Sequence, residues 1–275
     1  MKVGLIAGDG SFPLEVAKSI SQKNKEIFII AIKGSASKDI ECYPHLWIRI
    51  GQIGKAIRAL KENNCKELIL IGGVKKPNVW LLRPDFGALK LFFKLIILPI
   101  KGDASILKTL LNFLEKDNKF KVVGAEKYIS YLLMSKGLIA GEKINEQTNV
   151  DIDIAVENCK SIGSKDIGQA CVVVNGKIIA SEDSSGTDKM LRGIISKEIR
   201  FNNEGVLVKL AKPIQDRRVD LPAIGMQTIK LAKEIGLCGI AIEEKSSFIS
   251  NKERVIKFAN KNNIFIFGLS NEKIQ

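Results

Sequence analysis

The chain has 275 residues, 45% of them apolar, which is enough for one large core or two medium ones and excludes a disordered chain. Lys and Arg number 43 against 30 Asp and Glu, a net charge of +13; the excess marks either an anionic partner or a Lys-, Ile- and Asn-rich composition. Five scattered cysteines without a CxxC pair, and His45 as the one histidine, argue against a zinc site or a disulfide framework and for the reduced thiols of a cytoplasmic protein.

MKVGLIAGDG runs straight into a strand and a turn, without the pattern of a signal peptide. VGLIA (3–7), EIFIIAI (26–32), HLWIRI (45–50), ELILIGG (67–73) and KVVGA (121–125) are short apolar runs. LEVAKSI (14–20), IGKAIRALKENN (53–64) and ASILKTLLNFLEKDNKF (104–120) have helical spacing between them. The alternation predicts an α/β domain over 1–130 with a parallel, Rossmann-like sheet. LKLFFKLIILPI (89–100) is interrupted by Lys94 and is too short for a membrane span of ~20 residues. It reads as a buried helix or as a surface dipping into lipid through Phe92, Phe93, Leu95, Ile96 and Ile97.

Residues 131–148 read as a connection, and 149–275 as a C-terminal mixed α/β domain. That domain opens on a helical segment, VDIDIAVENCKSIG. ACVVVNGKIIASE (170–182) follows as an antiparallel hairpin turning at Asn175-Gly176, a dipeptide that accepts the positive φ of a type I′ turn. A helix is expected after Gly186-Thr187-Asp188, then the strand GVLVKL, a helix from about 222, the strand CGIAIEE, the helix NKERVIKFANKN and a closing strand IFIFGLS.

Three stretches carry candidate chemistry. In Gly8-Asp9-Gly10-Ser11-Phe12-Pro13, a glycine turn between strand and helix offers backbone N–H groups to phosphate, or is a plain tight turn. Pro13 and the Ala31-Ile32-Lys33 strand end exclude the dinucleotide fingerprint, and Gly73 is expected on the same rim. In Ser185-Gly186-Thr187-Asp188, the side chains either cap a helix or present a carboxylate to a metal ion. In KPIQDRRVDLPAIG (212–225), Lys212, Asp216, Arg217, Arg218 and Asp220 stand between Pro213 and Pro222. They form either a solvated turn of weak ion pairs or a rigid loop for phosphoryl chemistry, with cations for phosphate oxygens and a carboxylate for Mg²⁺ or water.

These last residues, with GLIAGDGSFP near the start, DIGQACVV at 166–173 and GTDKMLRG at 186–193, resemble the LpxI-type UDP-2,3-diacylglucosamine pyrophosphatases, with the motifs in the same order along essentially the whole chain. The resemblance implies Mg²⁺-dependent hydrolysis of UDP-2,3-diacylglucosamine to UMP and 2,3-diacylglucosamine 1-phosphate in lipid A synthesis, by a cytoplasmic protein at the inner-membrane surface. It puts the catalytic aspartate at Asp220, with Asp188 and Arg218 beside it in catalysis and Asp220 and Asp188 as Mg²⁺ ligands. Gly8, Gly10, Ser11, Gly73, Gln169, Thr187, Lys212, Gln215 and Arg217 are the expected substrate contacts. The rivals are a nucleotide-sugar transferase, a non-catalytic protein of anionic lipid surfaces, and a nucleic-acid-binding protein. Only 6% aromatic residues and no recognisable nucleic-acid motif speak against the last. An oligomer is compatible with all of these readings.

Overall fold

A computed structural model describes residues 2–74, 84–89, 91 and 103–274. Strand β1 (Lys2–Ala7) is flanked by β2 (Ile27–Ile32) and β4 (Cys65–Ile71), while β3 (His45–Ile48) lies beyond β2 and β5 (Lys121–Val122) beyond β4. All four pairings are parallel. Strand β2 is buried along its whole length, as a continuous apolar run in the middle of a parallel sheet must be. The strand order β3-β2-β1-β4-β5 reverses direction beside β1. In open α/β sheets that switch point is where ligands collect, outside the carboxyl ends of the strands.

Helix α1 (Phe12–Gln22) packs against β1 and β2, and α2 (Ile53–Glu62) against β2, β3 and β4. The sheet face under α2 is Phe28, Ile30, Ile48, Leu68 and Val122. Residues Ala56, Ile57 and Leu60 of α2 share that core with Leu111 from α3 (Asp103–Asn112). Helix α3 runs on into a π-helical turn, Phe113–Asp117, and a short helix α4 (Glu126–Ile129) packs on α1. From the apolar stretch 89–100, Leu91 is buried in this core; Phe92, Phe93, Leu95, Ile96 and Ile97 lie outside the described residues. Among the described residues no helix is long and apolar enough to cross a membrane.

The second sheet has six strands in the order β6-β13-β11-β9-β7-β8. They are β6 (Gly137–Ala140), β7 (Ala170–Val174), β8 (Lys177–Ser181), β9 (Val206–Lys209), β11 (Gly239–Glu243) and β13 (Phe265–Leu269). The central three, β9, β11 and β13, run parallel, and β6, β7 and β8 run antiparallel to their neighbours. Helix α5 (Glu146–Ser164) covers one face. Helices α6 (Thr187–Ser196), α7 (Met226–Ile235) and α8 (Lys252–Lys261) cover the other. The β7–β8 turn has Asn175 at φ 48 and Gly176 at φ 74. The buried Asp151 carboxylate fixes it by accepting the Asn175 and Gly176 amides at 3.0 and 2.7 Å.

The contacts divide the chain into two units, Met1–Ser130 with Asp216–Asp220, and Tyr131–Gln215 with Leu221–Gln275. Residues 131–148, read from the sequence as a connection, hold β6, which pairs with β13 at the edge of the second sheet. The helix expected from 222 begins instead at Met226. Ala223–Ile224 form a short strand, β10, paired with β12 (Phe248–Ile249). The Pro222 and Ile224 carbonyls accept the Phe248 and Ser250 amides, each at 2.9 Å, and this long-range pairing satisfies a backbone that a helix would have used locally.

Candidate functional site

At the switch point of the first unit, the ends of β1 and β4 meet. The Gly8 amide donates to Ile71 O at 2.9 Å, and Asp9 and Gly73 exchange amide–carbonyl bonds of 2.6 and 3.2 Å. Gly10 N donates to Asp9 Oδ1 at 2.8 Å. Three amides that a glycine turn could offer to an anion are therefore spent inside the protein. A Cβ on Gly8 would stand 2.4 Å from the carbonyl oxygens of both Gly72 and Gly73, so close approach of the two loops requires glycine there. Gly10 lies exposed with φ 95 and open space around its Cα, and Ser11 precedes α1 without a side-chain capping bond.

Beneath this rim, on the α2 side of the sheet, is a cavity of about 310 Å³. Ile6, Ile30 and Leu70 from the sheet, Ile57 from α2, Leu110 from α3 and Val219 contribute to its wall, whose described residues are all Ile, Leu, Val, Ala or Gly. A cavity of that chemistry stays dry and accepts hydrocarbon.

Val219 comes from the charged segment. There, Lys212 Nζ lies 2.6 Å from Asp166 Oδ1, with the two side chains only 13% and 9% exposed. Gln215 is buried, and its Oε1 accepts the Lys212 amide at 3.2 Å. Arg218 binds Asp216 through Nε and NH2 at 3.0 and 2.7 Å, and Glu115 through NH1 at 2.7 Å. The Arg218 bonds hold the Asp216 carboxyl below its ordinary pKa, and Asp216 with Glu115 raises that of Arg218. Lys212 and Arg218, candidates either to face phosphate oxygens or to support the loop, are both bonded to carboxylates of the chain. Arg217 is the exposed cation of the segment. Asp220 is half-buried, with its amide donating to Asp216 O at 3.1 Å. It does not cap α7, because β10 separates it from that helix, whose N-cap position is Gly225.

In the second unit, neither Thr187 nor Asp188 caps α6; Gly186 holds the N-cap position at φ 91. Thr187 Oγ1 donates to Glu182 Oε2 at 2.9 Å, and Thr228 Oγ1 donates to Asp188 Oδ1 at 2.8 Å. Gln169 stands just before β7, its carbonyl accepting the Leu210 amide, and its buried Oε1 has no hydrogen-bond partner among the described residues. On the same rim, sequence reasoning missed Lys209 and Glu243, 8% and 4% exposed at the carboxyl ends of β9 and β11. Lys209 Nζ donates to Ala223 O at 3.1 Å, and Glu243 Oε2 accepts the Ala211 amide at 3.0 Å. The signal was a charged residue closing an otherwise apolar strand, in VLVK and in GIAIE. Buried charges at a ligand rim are functional candidates, since burial is costly without a partner.

Among the described residues no three His, Cys, Asp or Glu side chains gather into a metal-binding group. Mg²⁺ needs fewer: it takes one or two carboxylates and completes its shell with water and phosphate oxygens. Each unit by itself offers one carboxylate of that type, Asp220 in the first and Asp188 in the second, where the Thr228 bond orients Asp188.

Comparison with known proteins follows the same two units. A family model described as the LpxI N-terminal domain matches residues 2–132, and one described as the LpxI C-terminal domain matches residues 135–267. A protein of Caulobacter vibrioides named UDP-2,3-diacylglucosamine pyrophosphatase LpxI is 34% identical over 273 residues, covering 98% of this chain and 97% of that protein. The chain therefore belongs to the LpxI family.

Proposed function

We propose that this protein hydrolyses the diphosphate of UDP-2,3-diacylglucosamine, in the synthesis of lipid A, with Asp220 as the catalytic carboxylate. The observation that carries the reading is the adjacency of Val219 and Asp220. Val219 forms part of the apolar wall of the cavity, and the next residue is a half-buried carboxylate on a braced loop. A substrate with acyl chains and a diphosphate calls for hydrocarbon-lined space next to such a group. Membership of the LpxI family and the name of its Caulobacter relative support the same substrate.

In this reading Asp220 hydrogen-bonds the attacking water and orients it toward phosphorus. A bond forms from the water oxygen to one phosphorus as the bridging P–O bond breaks. UMP and 2,3-diacylglucosamine 1-phosphate result. Arg217, exposed beside the site, and the Thr187, Gln169 and Asp188 groups of the second unit are proposed substrate contacts. Asp220 of the first unit and Asp188 of the second are each proposed as Mg²⁺ ligands; the ion when bound would supply neutralisation of the diphosphate charge. Lys212, Gln215 and Arg218 support the loop. The acyl chains bring the reaction to the inner-membrane surface, where the +13 net charge favours approach to acidic lipids.

The test is incubation of the purified protein with UDP-2,3-diacylglucosamine in detergent micelles and Mg²⁺. UMP should appear, EDTA should abolish it, and restored Mg²⁺ should recover it. Absence of UMP contradicts the activity, and undiminished turnover in EDTA contradicts the metal requirement. Transfer of the nucleotide or sugar to an added acceptor, in place of water, would favour a transferase.

A further inference from the structure

The π-helical turn Phe113–Asp117 has no part in the reading above. Such turns are rare and concentrate at functional sites. This one is firmly seated: Phe113 and Leu114 are each 2% exposed, Asn118 Nδ2 donates to Phe113 O at 3.0 Å, and the Phe120 amide donates to Leu114 O at 3.1 Å. It launches one acidic side chain, Glu115, toward the start of the next strand. There Glu115 Oε1 accepts the Val122 amide at 3.3 Å and Arg218 NH1 at 2.7 Å. Val122 O accepts the same guanidinium group at 3.4 Å. Glu115 and Val122 thus form a socket of two acceptors for one arm of Arg218.

The other arms of Arg218 lead to Asp216, which is a hub. Its Oδ1 accepts both the Arg218 amide and Nε, each at 3.0 Å, and its Oδ2 accepts NH2 at 2.7 Å. Its main-chain carbonyl accepts the amides of Val219 and Asp220, each at 3.1 Å. The bonds form one chain, from a buried π turn through Glu115, Arg218 and Asp216 to the backbone of Asp220. The planar guanidinium suits this, because its fixed fork binds two carboxylates in defined directions.

We infer that Glu115 is a positioning residue for Asp220, setting the 216–220 loop through Arg218 and Asp216. The inference rests on the hydrolytic reading only for its kinetic consequence; the mechanical one stands on its own. Removal of Glu115 frees one side of Arg218, loosens Asp216 and lets Asp220 wander, and a misplacement on the order of 1 Å can cost ~100-fold in rate.

The experiment compares the wild-type protein with Glu115→Ala, Glu115→Gln and Arg218→Lys. Hydrogen exchange of the Val219 and Asp220 amides is followed without ligand, and kcat and KM are measured on UDP-2,3-diacylglucosamine. Glu115→Ala should speed exchange at both amides at least about tenfold and lower kcat by about ten- to a hundredfold, with KM within about threefold. Glu115→Gln keeps an acceptor for Arg218 and should recover most of the exchange protection and rate. Arg218→Lys, which loses the fork, should resemble Glu115→Ala. Unchanged exchange at 219–220 in the alanine variant overturns the inference whatever the activity, as does a loss that appears in KM alone. A wild-type protein that releases no UMP would sink the hydrolytic reading instead, leaving the exchange result to decide the loop's dependence on Glu115.

Discussion

The two sheets end in opposite ways. At the carboxyl rim of the first, the strands Ile6, Ile30 and Leu70 belong to run out into a cavity with an aliphatic wall. At the corresponding rim of the second, Glu182, Thr187, Lys209 and Glu243 are buried and bonded to one another or to backbone. The difference follows from what each kind of side chain needs when water is removed. An apolar wall has no bonds to meet and can stay hollow, whereas the buried groups of a polar one need partners, and of those on the second rim Gln169 Oε1 has none among the described residues. A hollow rim can therefore be probed by filling it, and a hydrogen-bonded rim by removing a partner.

The largest effect is expected from the ion pair beneath the charged segment. Lys212→Met takes the 2.6 Å cationic partner from the nearly buried Asp166 carboxylate, and should cost about 3–5 kcal/mol of stability in urea unfolding. Lys212→Met combined with Asp166→Asn should recover most of it. If Lys212 only braces the loop, the double variant regains kcat as well. Recovered stability with kcat still depressed would return Lys212 to the substrate.

Filling the hollow rim comes next. Ala56 contributes to the cavity wall, and Ala56→Phe would occupy space claimed for an acyl chain. KM for a long-chain substrate should rise about tenfold, equivalent to ~1.4 kcal/mol, with a smaller change for a short-chain analogue. Equal effects on both chain lengths would remove the cavity from substrate binding. In the second, polar rim, Glu182→Ala strips Thr187 Oγ1 of its acceptor and should destabilise by about 1–3 kcal/mol; a neutral result would mean that the bond is not held in solution.

The smallest effect concerns pH. Asp216 is held below its ordinary pKa chiefly by the Arg218 side-chain bond. A depressed carboxyl stabilises the fold above its unfolded value, near 3.9, and that stabilisation drains away only as pH falls through the lower folded value. Exchange protection of the 216–220 loop, corrected for intrinsic rates, should thus be flat from about pH 8 to 5. Loosening within that window would show that other titrating groups control the loop.

Sequence periodicity was most informative where structure is local. The parallel strands of the first half are continuous apolar runs, and Asn175-Gly176 announced its hairpin through the backbone freedom it needs. It was least informative where a partner lies far along the chain. GLIA at 137–140 becomes a strand only because β13 pairs with it, and 223–224 because β12 does. Thr187 and Asp188 have the look of a local cap, yet Asp188 is bonded by Thr228, and Arg218 is claimed by Glu115 more than a hundred residues earlier. The candidate loop could thus be located from its charge pattern, while the division of its charges between bracing and chemistry could not.

The claim that organises all of this is that Asp220, beside the cavity, performs chemistry. Its most direct test is Asp220→Ala, with kcat, substrate dissociation constant and melting temperature measured on the same preparation. The account predicts kcat lower by about a hundredfold or more, the dissociation constant within about threefold and an almost unchanged melting temperature, the pattern of a group felt mainly in the transition state. A kcat reduced by less than about tenfold, only ~1.4 kcal/mol of barrier, would contradict it.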